Sequence, residues 1–228
     1  MMGNVMPLLN TNQKQHIQRW GILGTAYALL MRSIKKNLNF FFCVVTTRPL
    51  NHDKPPRNPT PEVDYRLITE EELITFCADP ALELTQAEVH ELCSLGHVCA
   101  GAITKGKLIS YVWRSYGPTQ HTNDIWIDFD SHCRYGFKSL TKEAFRGQRI
   151  HFYVTIMTEE KTRKDKTHTV GFIETHNYPS RHSSAFHGNT EVGYAGYIAL
   201  FGNYYIFHSP GAKKSGFRFF RKNDSKVD

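Results

Sequence analysis

A basic turn between two apolar segments constrains the fold of this chain more than any other feature of its sequence. The turn runs from Lys142 to Val154 and reads KEAFRGQRIHFYV. Apolar residues recur at helical spacing from Ile150 onward, so the pattern predicts a strand, a tight loop and then a helix. The N–H groups at about residues 147–152 would then lack intrahelical acceptors, and such a helix start attracts anions.

Two arginines flank the glycine of this turn. Arg146 precedes Gly147 and Arg149 follows it by two residues. Guanidinium groups beside free backbone amides suit a phosphate or pyrophosphate better than a single carboxylate. The alternative is a solvated basic helix start that binds nothing. The turn therefore predicts either a phosphate-binding loop or an ordinary exposed helix terminus.

Charge and cysteine content narrow the function classes. The 228-residue chain has a formal charge of +7, which favours an anionic partner but does not distinguish nucleic acid, an anionic membrane, an acidic carrier protein and a phosphorylated cofactor. Its five cysteines are odd in number and form no CxxC pair, which argues against a disulfide framework and a cysteine-rich zinc site. We expect a soluble, cytoplasmic protein, because no signal-peptide pattern opens the chain and the apolar stretch at residues 21–31 is too short for a bilayer.

The order of apolar and proline-rich segments along the chain predicts the domain organisation. Apolar residues at three- and four-residue steps within residues 13–38 predict an amphipathic helix that packs on its own domain or, alternatively, lies on a membrane surface or a partner. An aromatic and β-branched run at residues 40–47 predicts a buried strand, and a proline-rich stretch follows it. We predict four parts: an N-terminal helix and strand extension at 1–50, a linker at 51–63, a main domain at 64–218, and a disordered basic tail at 219–228.

Within the main domain, capping boxes and alternating apolar residues predict the elements. Thr69 with Glu72 and Thr85 with Glu88 mark two helix starts. A Gly202-Asn203 hairpin loop joins the last two strands. The predicted strands lie at residues 64–68, 97–103, 108–113, 125–129, 134–140, 169–174, 194–201 and 204–208, and the helices at 70–77, 85–96, 150–161 and 180–187.

The basic turn resembles the phosphate loop of the GNAT superfamily, whose members are acyltransferases that use acyl-coenzyme A. That loop is usually written Tyr-Arg-Gly-x-Gly-Ile-Gly. Residues 145–151 read FRGQRIH and keep the aromatic residue, the Arg-Gly pair and the isoleucine, but Arg149 and His151 replace two glycines. Because those glycines let the backbone approach the pyrophosphate, the Cβ atoms of Arg149 and His151 imply a looser or shifted contact.

A later stretch resembles the second motif of the same family. The motif has an asparagine at the end of the fifth strand, a small residue three positions on, an aromatic hydroxyl seven on and a glycine eleven on. These offsets fall on Asn177, Ser180, Ser184 and Gly188. Ser184 stands where the family often has a tyrosine that protonates the departing thiolate. The resemblance covers residues 64–218.

The resemblance implies the fold and the place of the site. The implied fold class is α/β (α+β), with a central mixed, mostly antiparallel sheet flanked by helices, to which the N-terminal helix and strand extension is added. The family binds its thioester in a V-shaped opening between the fourth and fifth strands, which correspond to residues 134–141 and 169–175. Backbone N–H groups at the end of the first of these strands would hold the thioester oxygen.

The resemblance also implies two sets of site residues. The candidate catalytic residues are Glu174, Asn177 and Ser184, and the other candidate bases are Asp128, Asp130 and His176. The candidate cofactor-binding residues are Leu140, Thr141, Arg146, Gly147, Gln148, Arg149, Ile150, His151, Asn177 and Ser180. The histidine spacings match no zinc pattern, so no metal is expected.

The implied function is N-acyl transfer from an acyl-CoA to an unidentified amine by direct attack of the amine. Among acyl donors, the resemblance favours acetyl-CoA and therefore N-acetyl transfer. No nucleic acid is expected as a partner. An acyl carrier protein as a partner and a homodimer as the oligomeric state are alternatives that the sequence does not decide. One alternative is a CoA-binding protein without turnover, which the missing glycines and tyrosine favour. The other is a non-catalytic nucleic-acid-binding protein, favoured by the charge and by the aromatic and basic residues at 135–138 and 216–221.

Overall fold

The structure is a computed structural model that describes residues 11–50 and 60–222. The described α-helices are α1 (Thr11–Asn37), α2 (Glu70–Phe76), α3 (Gln86–Ser94), α4 (Ile150–Met157), α5 (Glu159–Arg163), α6 (Tyr178–Phe186) and α7 (Pro210–Lys214). The described strands are β1 (Phe40–Pro49), β2 (Asp64–Ile68), β3 (Val98–Thr104), β4 (Lys107–Ser115), β5 (Thr119–Gln120), β6 (Ile125–Asp128), β7 (Cys133–Thr141), β8 (His168–Glu174), β9 (Thr190–Leu200), β10 (Asn203–His208) and β11 (Arg218–Arg221). Most of the predicted linker, residues 51–59, lies outside the described residues.

One eight-stranded sheet organises the described chain. Its strand order is β10-β9-β1-β8-β7-β4-β3-β2, and its neighbours are antiparallel except for β7 and β8, which run parallel. Helix α4 packs on β2, β3 and β4, and α1 packs on β1. The predicted fold class, a mixed and mostly antiparallel sheet flanked by helices, is confirmed.

Strand β1 lies inside this sheet, between β8 and β9. It pairs antiparallel with both of them, and Cys43, Val44 and Val45 are at most 1% exposed. Such burial requires the aromatic and β-branched composition that this segment has. The sequence-based division at residue 50 therefore differs from the structure, because the strand of the predicted extension is a central part of the main sheet.

A three-stranded sheet, β11-β6-β5, packs against the large sheet through buried aromatic and aliphatic side chains. The ring of Phe219 is 3% exposed and meets Phe41 of β1 edge-on at 5.9 Å. The prediction of a disordered tail at residues 219–228 is therefore wrong for residues 219–221, because Phe219 is a core residue of β11. Residues 223–228 lie outside the described part of the chain.

Two boundaries differ from the sequence prediction for local reasons. The helix predicted at residues 150–161 divides at Thr158, whose Oγ1 donates to the carbonyl oxygen of Val154 at 2.6 Å, a contact that bends helices. The last hairpin turns at Phe201 and Gly202, with φ of 50° and 80°, while Asn203 already pairs with Leu200. A two-residue type I′ turn needs positive φ at both positions, which places the turn one residue earlier than predicted.

The parallel strands β7 and β8 separate soon after they begin. They pair only over Cys133–Tyr135 and His168–Val170, although both strands continue. Beyond this point β7 bulges against β4, with Lys138 at a φ of 41° and a register shift opposite Val112. A bulge bends the strand that carries it. The two strands therefore enclose an opening at the place that the resemblance implied.

Candidate active site

The opening between β7 and β8 is a cleft of about 420 Å³. Gly136 and Ser139 line it from β7, and Gly171 and Glu174 line it from β8. Helix α6 and its N-cap border the same cleft with three of the predicted site residues, Asn177, Ser180 and Ser184. The residues of the second motif therefore meet the diverging strands in one site.

The predicted phosphate loop borders a second depression, of about 450 Å³. Gly147 has a φ of 78° and Arg149 a φ of 60°, and α4 begins at the next residue, Ile150. Glycine adopts this left-handed conformation at no steric cost, whereas an arginine is strained by it. The loop thus makes a sharp turn into α4 with one glycine and one arginine in the left-handed conformation.

Three guanidinium groups line this depression. Arg146 and Arg149 come from the loop, and Arg19 comes from α1. Arg146 Nε donates to the carbonyl oxygen of Thr141 at 3.1 Å, and the Arg149 guanidinium lies over the Phe186 ring, 4.8 Å from its centroid. Both loop side chains are exposed, so an anion can approach them from solvent.

The cleft and the depression form one continuous groove, since His151, Ser183 and His187 line both. The two imidazole rings stack with centroids 5.2 Å apart. Burial lowers the pKa of His151 to about 3 and that of His187 to about 4, and the charge of Arg114 acts in the same direction on both. Both rings are therefore neutral at neutral pH and add no charge to the middle of the groove.

A cluster of buried charges lies at the narrow end of the cleft, where β7 and β8 meet. Arg48, Arg114, Arg134 and Glu159 are 7%, 4%, 0% and 6% exposed, and we call them the vertex cluster. Glu159 forms ion pairs with Arg48 and, at 3.5 Å, with Arg134. Arg134 Nε also donates to Thr169 Oγ1 at 3.0 Å. Arg48 and Arg114 line the cleft itself.

Of the four candidate bases, Glu174 is the one that lines the cleft. Its carboxylate accepts a hydrogen bond from Lys35 Nζ at 2.7 Å and lies 3.7 Å from His176 Nε2. Burial lowers the pKa of His176, and Glu174 opposes this effect. Asp128 pairs with Arg218 on the small sheet, and Asp130 lies against Gly216, so neither borders the cleft.

Asn177 and Ser184 also have structural roles. Asn177 Oδ1 accepts a hydrogen bond from the backbone N–H of Ser180 at 3.2 Å, which caps α6. The Ser184 carbonyl oxygen accepts one from Asn189 Nδ2 at 3.0 Å. Gly188, with a φ of 77°, follows the helix end. Part of the motif spacing is therefore explained by the start and end of one short helix.

Two of the predicted cofactor-binding residues lie outside both parts of the groove. Leu140 packs against the core beneath α2 and α3, and its carbonyl oxygen accepts a hydrogen bond from Ser110 Oγ at 3.0 Å. Gln148 Nε2 donates to the carbonyl oxygen of Ala144 at 3.1 Å. Ile150 does border the depression, but its side chain is 3% exposed and packs in the core between α4 and the sheet. Thr141 and the remaining loop residues do border the depression.

The sequence prediction did not include the vertex cluster or Arg19. Arg48 and Arg114 are each the next-to-last residue of a largely buried strand, and an arginine in such a position is the signal that was available. Helix α1 reaches the site as well: Trp20 stacks on Tyr178 at 5.5 Å, and the hydroxyl of Tyr27 lies 2.7 Å from Thr175 Oγ1. The N-terminal helix thus packs beside the groove.

Residues 11–50 and 60–222 show neither a metal-binding cluster nor a membrane-spanning helix. No group of three or more His, Cys, Asp or Glu side chains in these ranges is arranged to hold a metal ion. Among the helices described there, not even the 27-residue α1 combines the length and apolar content of a bilayer-spanning segment.

Comparisons with known proteins give likenesses of structure only. No family model matches the sequence, and no curated protein is similar to it. Similar solved structures include a Drosophila protein (15% identity, 79% of this chain and 59% of that chain, TM-score 0.49) and a GNAT-family acetyltransferase from Colwellia psychrerythraea (15%, 78% and 62%, 0.47). A GNAT-family acetyltransferase from Streptococcus pneumoniae is also similar (16% identity, 56% of this chain and 83% of that chain, TM-score 0.42). The chain spans less than two thirds of the length of the first two proteins. By its own strand order and its diverging parallel pair, the chain has the GNAT-like fold that the sequence predicted.

Proposed function

We propose that this chain is an N-acyltransferase that transfers an acyl group from acetyl-CoA or another acyl-CoA to an amine. The observation that carries this proposal is the continuous groove from the phosphate loop to the opening between β7 and β8. A donor with phosphates at one end and a thioester at the other suits a groove that has exposed arginines and a helix start at one end and diverging strands at the other.

The donor's phosphates would bind at the start of α4. Arg146 and Arg149 supply guanidinium groups, Arg19 adds a third, and the first amides of α4 supply N–H donors. The pantetheine arm would follow the groove past His151 and His187, whose neutral rings offer polar contact without charge. The thioester would then lie beside the bulge in β7.

The reaction needs a neutral amine, whose nitrogen attacks the thioester carbon while the C–S bond breaks and the thiolate departs. Glu174 would accept the amine proton, because it is the cleft-lining carboxylate at the end of β8. Backbone N–H groups at the bulge near Lys138 would hold the oxyanion. Ser184 would relay a proton to the thiolate through a water molecule while it regains one from solvent, since a serine is shorter than the usual tyrosine.

Arg146→Glu is expected to abolish the rise in melting temperature that acyl-CoA gives the wild-type protein. A ligand at a hundred times its dissociation constant stabilises by about 2.7 kcal/mol, so loss of the phosphate site removes a measurable shift. Because Arg146 is exposed, the free variant should melt close to the wild type. Differential scanning fluorimetry with acetyl-CoA and longer acyl-CoA measures both values.

The matched control is Lys161→Glu, which reverses an exposed charge on α5 outside the groove. It should keep the full acyl-CoA shift. Equal acyl-CoA shifts in Arg146→Glu and wild type would remove the phosphate loop from this proposal.

Ser184→Ala is expected to lower kcat by roughly a hundredfold or less, with little change in the affinity for acyl-CoA. A directly positioned acid contributes about a hundred- to ten-thousandfold, and transfer through water should lie at the low end. Ser94→Ala, an exposed serine on α3, is the control and should leave kcat unchanged. Release of free CoA thiol in the presence of the acceptor gives the rate, and an unimpaired Ser184→Ala enzyme would leave this serine without a catalytic role.

A CoA-binding protein without turnover is the second candidate, favoured by Arg149, His151 and Ser184 at positions where the family has glycines and a tyrosine. Acyl-CoA binding without CoA release across a broad panel of amines would favour it. The nucleic-acid alternative is weaker, because Tyr135, Phe217 and Phe219 are 4%, 1% and 3% exposed and cannot stack on bases.

A further inference from the structure

We propose that the vertex of the cleft, between Arg48 and Arg114, binds a carboxylate, so that one substrate of the acyl transfer carries an anionic group. This inference rests on the proposed function and adds a substrate class to it. The carboxylate belongs either to the acyl group, as in a dicarboxylic acyl-CoA, or to the amine acceptor, as in an amino acid. The two sources share one chemistry, a planar anion facing guanidinium groups.

The charges of the vertex cluster are not balanced. Three buried guanidinium groups face one carboxylate, Glu159, which already pairs with Arg48 and Arg134. Buried charges are ordinarily paired or bound to ions, because removing them from water is costly. The cluster as described therefore has an excess of positive charge that one further anion would offset.

Arg114 is the incompletely paired member of the vertex cluster within the described residues. Its Nη2 donates to Thr155 Oγ1 at 3.4 Å, and its buried Nε has no hydrogen-bond partner in the part of the chain that the structure describes. Within those same residues it forms no ion pair, although the side chain is 4% exposed and lines the cleft. Burial, together with the charges of Arg134 and Arg48, lowers the pKa of Arg114 to about 9, so the group is still charged at neutral pH.

The strands leave room for the Arg114 guanidinium at the vertex. Gly136 is the first residue of β7 beyond the parallel pairing, and a Cβ at this position would overlap Nη1 of Arg114. On the facing strand, the methyl group of Thr169 lies near Gly136, and Gly171 leaves that wall of the cleft without a side chain. The glycine therefore lets the charged group face the cleft where the two strands part.

The vertex is distinct from the phosphate loop and from the candidate base. The phosphate-loop arginines border the other end of the groove, beyond His151 and His187. Glu174 lies three residues after Gly171 on β8, about 10 Å further along the strand, and pairs with Lys35. An anion at the vertex would therefore meet neither the donor's phosphates nor the carboxylate that accepts the amine proton.

The first experiment uses a small carboxylate as probe. Sodium acetate, compared with sodium chloride at equal ionic strength, should raise the melting temperature of the full-length wild type but not that of Arg114→Met. Gly136→Ala is the second variant, because it displaces the guanidinium while keeping the charge, and it should also lose the response. Arg146→Glu should keep it, since its arginine belongs to the phosphate end.

The second experiment identifies the source of the carboxylate. Succinyl-CoA and butyryl-CoA have nearly the same length and differ by one terminal carboxylate. If the acyl group supplies the anion, the wild type should bind succinyl-CoA at least roughly tenfold more tightly than butyryl-CoA. Arg114→Met should bind the two acyl-CoA species with affinities within about twofold of each other. If the acceptor supplies it, that preference should be absent, and L-alanine should bind the CoA-loaded protein more tightly than ethylamine does.

The outcomes separate this inference from the proposed function. An acetate response that depends on Arg114 supports the site even if acyl-CoA does not bind, in which case only the transferase proposal fails. Acyl-CoA binding with an acetate response equal in wild type, Arg114→Met and Gly136→Ala would overturn the carboxylate site alone. A response to inorganic phosphate but not to acetate would likewise overturn it, because the vertex would then select a different anion.

Discussion

Replacing Glu159 with alanine is expected to lower the free energy of unfolding by about 3–5 kcal/mol, a large share of the 5–15 kcal/mol typical of a folded domain. Glu159 is 6% exposed and its carboxylate pairs with two buried arginines. Its removal leaves three guanidinium groups in the vertex cluster without this carboxylate. Urea unfolding followed by far-ultraviolet circular dichroism gives the value.

Glu160→Ala is the control, because the neighbouring side chain on the same helix is exposed. It should change the free energy of unfolding by no more than about 0.5 kcal/mol. The double variant Glu159→Ala with Arg114→Met should recover part of the loss, since it also removes one buried cation. Equal small effects of Glu159→Ala and Glu160→Ala would show that the cluster does not depend on this carboxylate.

Val45→Asp is expected to prevent folding or to lower the free energy of unfolding by more than about 4 kcal/mol. Val45 is 0% exposed in the aromatic core between the two sheets, where a carboxylate would have no partner. Its strand β1 also bridges β8 and β9, so distortion there separates the cleft-forming strand from the last hairpin. Expression in soluble form and urea unfolding measure the effect.

Tyr205→Asp is the matched control for this strand substitution. Tyr205 is 58% exposed on β10, an edge strand of the same sheet. A charge there stays in water, so the variant should express and unfold much like the wild type. Stability of Val45→Asp comparable to that of Tyr205→Asp would mean that β1 is dispensable for the sheet.

The features that were predicted well from the sequence depend on neighbours along the chain. Both hydrogen bonds of the capping box formed by Thr69 and Glu72 are present, and Thr85 caps α3 as expected. The spacing from Asn177 to Gly188 was sufficient to predict α6, because a cap and a terminal glycine define a helix locally, whereas its place beside the cleft was implied by the resemblance. The order of the elements followed from these local signals.

The features that were missed depend on residues far apart in the sequence. Arg48, Arg114, Arg134 and Glu159 come from β1, β4, β7 and α5, and nothing local indicates that they meet. The place of β1 in the sheet was missed for the same reason, since its composition indicates a buried strand but not its neighbours. Sequence patterns therefore predicted the turn before α4 and the short helix α6 better than the vertex of the cleft.

The position of β1 also has a consequence for the order of assembly during synthesis. Cys43 donates from its thiol to the carbonyl oxygen of Ala195, a contact between residues 152 positions apart. Among the described strands β1 is the earliest in the sequence, and it must therefore wait, apolar and unpaired, until its partners β8 and β9 have been synthesised. Sheets closed by such distant pairings fold slowly and expose aggregation-prone edges on the way. We expect the nascent chain to depend on chaperones that shield an early hydrophobic segment, and its yield to fall when translation outpaces them.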